Sequence, residues 1–135
     1  EKYDNDINKL NKAWWTKFWS HTYASFDEIE APAPHGEPAL HGLNLDWMRF
    51  VTHQTLDYYK HERSILKEIT PDIPVTTNFH DYISLFRGID YWKFAPYLDV
   101  VSWDNYPYWH GERTDDHEGS RIGFVHDLNR AIFKW

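Results

Sequence analysis

The segment 100–107 constrains the fold of this chain more than any other, because its sequence reads Val-Val-Ser-Trp-Asp-Asn-Tyr-Pro. The two β-branched valines indicate a short buried strand, and a proline ends the polar and aromatic stretch that follows it. An α/β barrel binds its ligands at the carboxyl ends of its parallel strands, so this ending predicts a site for a polar, ring-shaped ligand. Asp104, Asn105 and Tyr106 are the candidate contacts.

A second predicted strand, residues 74–79, ends in the same kind of side chain. Its sequence Pro-Val-Thr-Thr-Asn-Phe places an amide and an aromatic ring, Asn78 and Phe79, at the carboxyl end. Two consecutive strands that end in this way indicate a sugar site, since aromatic rings cover the C–H face of a pyranose while amides and carboxylates bind its hydroxyls. The structural alternative is turn formation, by Asn78 after its strand and by Asp104 and Asn105 before Pro107.

The composition limits the classes of partner. Acidic residues outnumber basic ones by 21 to 14, and the net charge of −7 argues against nucleic acid and anionic membranes, which are bound through Lys and Arg. The absence of cysteine excludes disulfides and thiolate metal sites, and it is compatible with a cytoplasmic protein. Aromatic residues make up 19% of the chain, which fits either stacking platforms for a sugar or a heavily aromatic core.

Apolar periodicity and turn residues predict one segment, 1–135, of an α/β fold with two parallel strands. A start at Glu1 instead of Met indicates a fragment or a processed product. Because two strands leave the sheet uncovered, we expect either a slice of a larger barrel or association in a homo-oligomer. The predicted elements are helix 7–19, a long loop 21–44, helix 45–69, strand 74–79, short helix 91–96, strand 100–103 and helix 121–135.

A polar loop is predicted at 110–119, where acidic and histidine side chains cluster. The run Asp115-Asp116-His117-Glu118 offers oxygen and imidazole groups that suit several divalent ions. Adjacent residues point in different directions, however, and no histidine pair has the spacing of a helical metal site. A solvated loop is the preferred interpretation, and we expect neither a metal nor a cofactor.

Six motifs, in order and spacing from about residue 7 to the C-terminus, resemble the glycoside hydrolase family 42 β-galactosidases. They are Asn11-Lys12-Ala13-Trp14-Trp15, Phe18-Trp19-Ser20-His21-Thr22-Tyr23, Gly42-Leu43-Asn44-Leu45-Asp46-Trp47, Pro74-Val75-Thr76-Thr77-Asn78-Phe79, Asp90-Tyr91-Trp92-Lys93-Phe94-Ala95 and Ser102-Trp103-Asp104-Asn105-Tyr106-Pro107. The resemblance implies a partial TIM barrel, covering roughly its fifth and sixth strands. It also implies hydrolysis of terminal β-D-galactosides with retention, by two glutamates.

The resemblance places both glutamates outside the matched motifs. The acid/base glutamate of the family belongs to an Asn-Glu-Tyr-Gly type motif, which does not occur here, and the nucleophile follows the helix that ends at Trp135. Retaining hydrolysis needs two carboxyl groups about 5–5.5 Å apart. We therefore expect no catalytic residue in this chain, and no activity from the chain alone.

The same resemblance adds one candidate contact, and the chain departs from the family pattern at one position. Trp19 corresponds to a tryptophan that lines the galactose pocket, although a core role is the alternative, and Tyr106 is expected near the position of the nucleophile. After Asn78-Phe79 the family usually has a small pair such as Met-Gly, whereas this chain continues with His80-Asp81-Tyr82. Four further tryptophans are predicted to be core residues: Trp14, Trp15, Trp47 and Trp92.

Galactose or a β-galactoside is the expected partner. Two other classes remain open at this point: a non-catalytic carbohydrate-binding or interaction module with an aromatic ligand shell, and a structural domain whose aromatic residues are all core.

Overall fold

A computed structural model describes residues 2–33, 40–80, 88–108 and 115–133. The chain forms two compact units, Glu1–Phe50 and Val51–Trp135, which are described in turn. Among the described residues, no helix has the length and apolar character needed to cross a lipid bilayer.

Helix α1 of the first unit spans Ile7–Trp14 and is shorter than the predicted helix 7–19. The Asp6 side chain caps its start by accepting a hydrogen bond from the Asn8 amide at 2.8 Å. The helix ends because Trp15 adopts a left-handed conformation with φ of 55°, and a 3₁₀ turn, Thr16–Trp19, follows. A second 3₁₀ turn spans Phe26–Glu28.

Helix α2 spans His41–Ile69, so it begins four residues before the predicted start at 45 and shortens the predicted loop 21–44. Gly42 permits the early start, because a Cβ at this position would lie 2.5 Å from two ring atoms of Trp14. A larger residue would clash with the indole. Residues 34–39 of the predicted loop lie outside the described residues.

The Asp46 carboxylate on α2 accepts several hydrogen bonds within the first unit. It accepts from the Tyr3 hydroxyl at 2.5 Å, from the Trp14 indole N–H at 3.0 Å and from Arg49 at 3.0 Å, and it pairs with Lys2. Burial by itself raises the pKa of Asp46, but these donors outweigh burial and hold the pKa below its ordinary value. The ionised carboxylate thus fixes the N-terminal segment and α1 on the start of α2.

Three of the four tryptophans predicted to be core residues are exposed in the structure: Trp15, Trp47 and Trp92. The left-handed turn directs the Trp15 ring outward, where it lies against Phe18 with 5.2 Å between ring centroids. The prediction of a core role is wrong for these three, because composition alone does not show which face of a turn or helix carries a ring.

The second unit contains a parallel two-stranded sheet formed by β1, Asn78–Phe79, and β2, Ser102–Trp103. These strands are shorter than the predicted ranges 74–79 and 100–103. Side-chain hydroxyls explain the difference, because Thr76 donates to the Val100 carbonyl at 2.5 Å and Ser102 donates to the Thr77 carbonyl at 3.1 Å. These carbonyls accept from side chains, outside the regular ladder.

Two further helices follow in the second unit. Helix α3 spans Tyr91–Phe94 and continues as a 3₁₀ turn, Ala95–Tyr97, where the sequence predicts one helix 91–96. Helix α4 spans Asp115–Phe133 and begins six residues before the predicted start at 121. Three acidic residues in its first turn favour the early start, since negative charge stabilises a helix N-terminus. The predicted loop 110–119 is therefore wrong for 115–119, and residues 110–114, 134 and 135 lie outside the described residues.

The helices of the second unit cover one face of the sheet and form an apolar core there. Phe79 of β1 is central to this core, with its ring centroid 4.1 Å from that of Tyr91 and 5.5 Å from that of Phe94. The other buried members come from α2 and α4: Leu56, Tyr59 and Ile132. Burial of these aromatic rings holds the strands in register against the helices.

Asp99, just before β2, connects this sheet to α2. Its carboxylate accepts from Lys67 at 2.8 Å, from the Val75 amide at 2.9 Å and from Arg63 at 2.7 Å. These three donors hold the pKa of Asp99 well below its ordinary value.

We expect the contacts of Asp99 to make stability depend on pH in the acid range. A carboxyl group whose pKa is lowered by folding stabilises the fold fully above its unfolded pKa, here 3.8. This contribution disappears as the pH falls through the lower pKa of the folded state. The urea midpoint should therefore drop from about pH 4 downward, and the drop should be smaller in Asp99→Asn.

Asp127→Asn is the matched control for this pH series. Asp127 makes an exposed pair with Arg130 at 2.9 Å, and such surface pairs contribute little to stability. Its urea midpoints should follow the wild-type profile. Identical profiles for Asp99→Asn and the wild type would contradict the role given to Asp99.

Candidate functional site

The two strands separate apolar from polar side chains by their alternation. Phe79 and Trp103 are paired in the register, and both pack into the helix-covered core. Asn78 precedes Phe79 and Asp104 follows Trp103, so these two side chains lie on the opposite face of the sheet. In an α/β barrel the helices cover the outside, and the opposite face points to the interior.

A hydrogen-bonded amide and carboxylate lie at the carboxyl ends of the strands on this polar face. The Asn78 Nδ2 atom is 3.0 Å from both Oδ1 and Oδ2 of Asp104. The Asp104 backbone is held in turn, because its amide donates to the Phe79 carbonyl at 2.6 Å. The pair offers carboxylate lone pairs and an amide oxygen, which are groups that bind hydroxyls.

His80 is a polar residue of this face that the sequence analysis does not select as a contact. Its Nδ1 atom lies 4.0 Å from Oδ2 of Asp104, and its side chain is 72% exposed. The signal was present in the period-two spacing of Thr76, Asn78 and His80, which places all three on one face of an extended segment. Thr76 continues the polar row with its hydroxyl 3.4 Å from that of Ser102.

The other predicted contacts have different environments. Phe79 is 5% exposed, which shows that its ring is packed in the core. The ring points there because neighbouring residues of a strand face opposite sides, so Phe79 faces away from Asn78. This corrects the expectation that its ring faces a ligand. Asn105 and Tyr106 are exposed after β2, and Tyr106 is 77% exposed. Trp19 ends the 3₁₀ turn of the first unit.

A groove of about 470 Å³ lies between β2 and α4. Its lining includes Asn105, Trp103 and His126, and the Trp103 indole N–H donates to Nδ1 of His126 at 3.3 Å. A second groove, of about 340 Å³, lies between α2 and residues 75–77 at the other edge of the sheet. Both edges of the described sheet are therefore bordered by open grooves.

The run Asp115-Asp116-His117-Glu118 forms the first turn of α4. Glu118 is buried, and its carboxylate accepts from the Tyr108 amide at 3.0 Å and from Arg121 at 2.7 Å. Across the described ranges, no group of three or more His, Asp or Glu side chains is arranged to hold a metal ion. The acidic start of α4 thus has a structural role as a helix N-terminus and as an anchor for the segment before it.

Parallel strands with helices on one face define a segment of an α/β barrel, and the polar pair at their carboxyl ends is its candidate ligand site. The family model of glycoside hydrolase family 42, described as β-galactosidase, matches residues 1–135. This chain belongs to the glycoside hydrolase family 42 β-galactosidases, and its fold is part of a TIM barrel, as the resemblance implies.

Named relatives and solved structures agree with this family. The chain is 53% identical to β-galactosidase BglY of Alicyclobacillus acidocaldarius over 95% of its length and 18% of that protein. It is 55% identical to β-galactosidase GalA of Bacillus licheniformis, over 98% of its length and 20% of that protein. Gan42B, a family 42 β-galactosidase from G. stearothermophilus, superposes with a TM-score of 0.84 at 51% identity, over 97% of this chain and 20% of that one. The chain thus spans about a fifth of the length of these relatives.

Proposed function

We propose that this chain is part of the catalytic barrel of a retaining β-galactosidase and contributes residues of its galactose pocket. The observation that carries the proposal is the Asn78–Asp104 pair, which lies on the polar face at the carboxyl ends of the strands. Membership in a family of β-galactosidases supports terminal β-D-galactosides as the substrate class.

The proposed role of the pair is to bind and orient sugar hydroxyls. A carboxylate accepts hydrogen bonds from hydroxyls, while the carbonyl oxygen of the amide accepts and its N–H₂ group donates. In the proposal, Asn105 and the Tyr106 phenol extend this set from the loop after β2, and Trp19 supplies a stacking surface. Orientation by such groups lowers the barrier by holding the glycosidic bond near the reacting carboxyls.

The reacting carboxyls are proposed to come from outside this chain. Retaining hydrolysis uses one carboxyl as nucleophile and one as acid/base, about 5–5.5 Å apart. The resemblance assigns both roles to glutamates in motifs that this sequence does not contain. Asp104 is a poor candidate for either role, because both of its oxygens are engaged by the Asn78 amide.

The remainder of the barrel is the proposed structural partner. Each described strand has one neighbour, and open grooves border β1 and β2. Unpaired strand edges promote pairing with other segments, so association of isolated copies into a homo-oligomer is the alternative outcome. We further propose that the whole enzyme works in the cytoplasm, without a nucleic-acid or membrane partner.

Assays of the full-length protein and of the 135-residue chain test the proposed function. The full-length protein should hydrolyse 4-nitrophenyl β-D-galactoside and release β-galactose first, as followed by NMR. The 135-residue chain should show no hydrolysis under the same conditions. Inactive full-length protein, or release of α-galactose first, would contradict the proposal.

A galactose titration of the full-length protein, followed by tryptophan fluorescence, separates the alternatives. A saturable response from full-length protein that binds galactose without hydrolysing it would favour the carbohydrate-binding module. No response and no hydrolysis would favour the structural domain.

A further inference from the structure

His80 shares the polar face with the proposed galactose pocket. It follows Asn78 by two residues in the direction in which β1 runs, and its Nδ1 atom is 4.0 Å from Oδ2 of Asp104. Two residues of extended chain cover about 6–7 Å, so His80 lies farther toward the mouth of the barrel than Asn78, and the parallel register places it level with Asp104.

The Nδ1 atom of His80 is the ring nitrogen beside the Asp104 carboxylate, at 4.0 Å from Oδ2, so Nε2 is the nitrogen farther from that carboxylate. An imidazole nitrogen accepts a hydrogen bond when it carries no proton and donates one when it does. Because the side chain is 72% exposed, the ring is open to a molecule that enters from the mouth. The Nε2 atom is therefore suited to form a hydrogen bond with a hydroxyl group, which can both donate and accept.

We propose that His80 is a specificity-determining residue that binds a hydroxyl of the leaving-group sugar. The inference rests on the proposed function, because an enzyme that removes a terminal galactose admits that sugar first and leaves the rest of the substrate toward the mouth. The ligand class is a β-galactoside whose leaving group is itself a polyol. A leaving group without sugar hydroxyls gains nothing from His80.

Two substrates with the same galactose and different leaving groups test this role in the full-length enzyme. The His80→Phe variant keeps a ring but removes both nitrogens. We expect its KM for lactose to rise about fivefold, the size expected for one lost hydrogen bond, while its KM for 4-nitrophenyl β-galactoside changes less than about twofold. His80→Gln should restore the KM for lactose, because its amide group can accept or donate a hydrogen bond in place of Nε2.

His80→Ala is a second test variant, and it should raise the KM for lactose as His80→Phe does. His53→Ala is the matched control. His53 is also an exposed histidine beside a carboxylate, with Nε2 3.5 Å from Oδ2 of Asp57 on α2. The control should leave both KM values unchanged. Equal KM values for lactose in the wild type, His80→Phe and His80→Ala would overturn the inference, and so would an equal rise for both substrates. An inactive wild-type enzyme would instead contradict the proposed function.

Discussion

Replacing Asn78 with Asp is expected to lower kcat/KM of the full-length enzyme for 4-nitrophenyl β-galactoside by about 100-fold. The substitution puts a second carboxylate where an amide now donates at 3.0 Å to both oxygens of Asp104. Two carboxylates at this distance repel each other, so they move apart or one takes up a proton. Either outcome removes the arrangement that is proposed to orient the sugar. Steady-state kinetics at neutral pH measures the loss.

The exchanged double variant, Asn78→Asp with Asp104→Asn, is the control for this prediction. It restores one amide and one carboxylate at the two strand ends, with their positions reversed. We expect kcat/KM of the double variant to be at least about tenfold higher than that of Asn78→Asp, because the two carboxylates no longer repel each other. The proposed role is wrong if the single variant keeps wild-type kinetics, or if its loss of activity only follows a loss of folded protein in thermal unfolding.

Replacing Phe94 with Ala is expected to lower the free energy of unfolding by about 3–5 kcal/mol. The Phe94 side chain is 1% exposed, and its ring packs edge-on against Phe79 with centroids 5.5 Å apart. Truncation leaves a cavity beneath β1 and removes an aromatic contact to the central ring of the core. Urea denaturation followed by circular dichroism measures the change.

Trp92 offers a control two residues away in the same short helix. Its ring is 58% exposed, so Trp92→Ala removes a large aromatic side chain without opening a cavity. We expect a change within about 0.5 kcal/mol for this variant. A similar loss in both variants would mean that α3 itself, rather than the core contact of Phe94, determines the stability of the second unit.

Apolar periodicity in the sequence predicts two parallel strands among helices, and the family resemblance implies a partial TIM barrel. The structure and the family comparison confirm an α/β segment of a TIM barrel. The boundaries depend on local contacts that periodicity does not record. Trp15 ends α1 in a left-handed turn, and Gly42 lets α2 start early against an indole ring.

The candidate site is partly predictable from the kinds of residue that end the two strands. An amide and a carboxylate stand at these ends, and the structure places Asn78 within hydrogen-bonding distance of Asp104. Residue type alone groups Phe79 with Asn78 and omits His80. Because neighbouring residues of a strand face opposite sides, the period-two rule instead separates Phe79 from Asn78 and puts His80 on the side of Asn78.

The alternation along β1 and β2 also bears on how such a protein can evolve. Asn78, Asp104 and His80 occupy one side of the strands, while Phe79 and Trp103 hold the core on the other. In the proposed site, substitutions that change substrate preference therefore fall on the face opposite the aromatic core. Under the proposed role of His80, this position can vary without a change in the residues that fill that core.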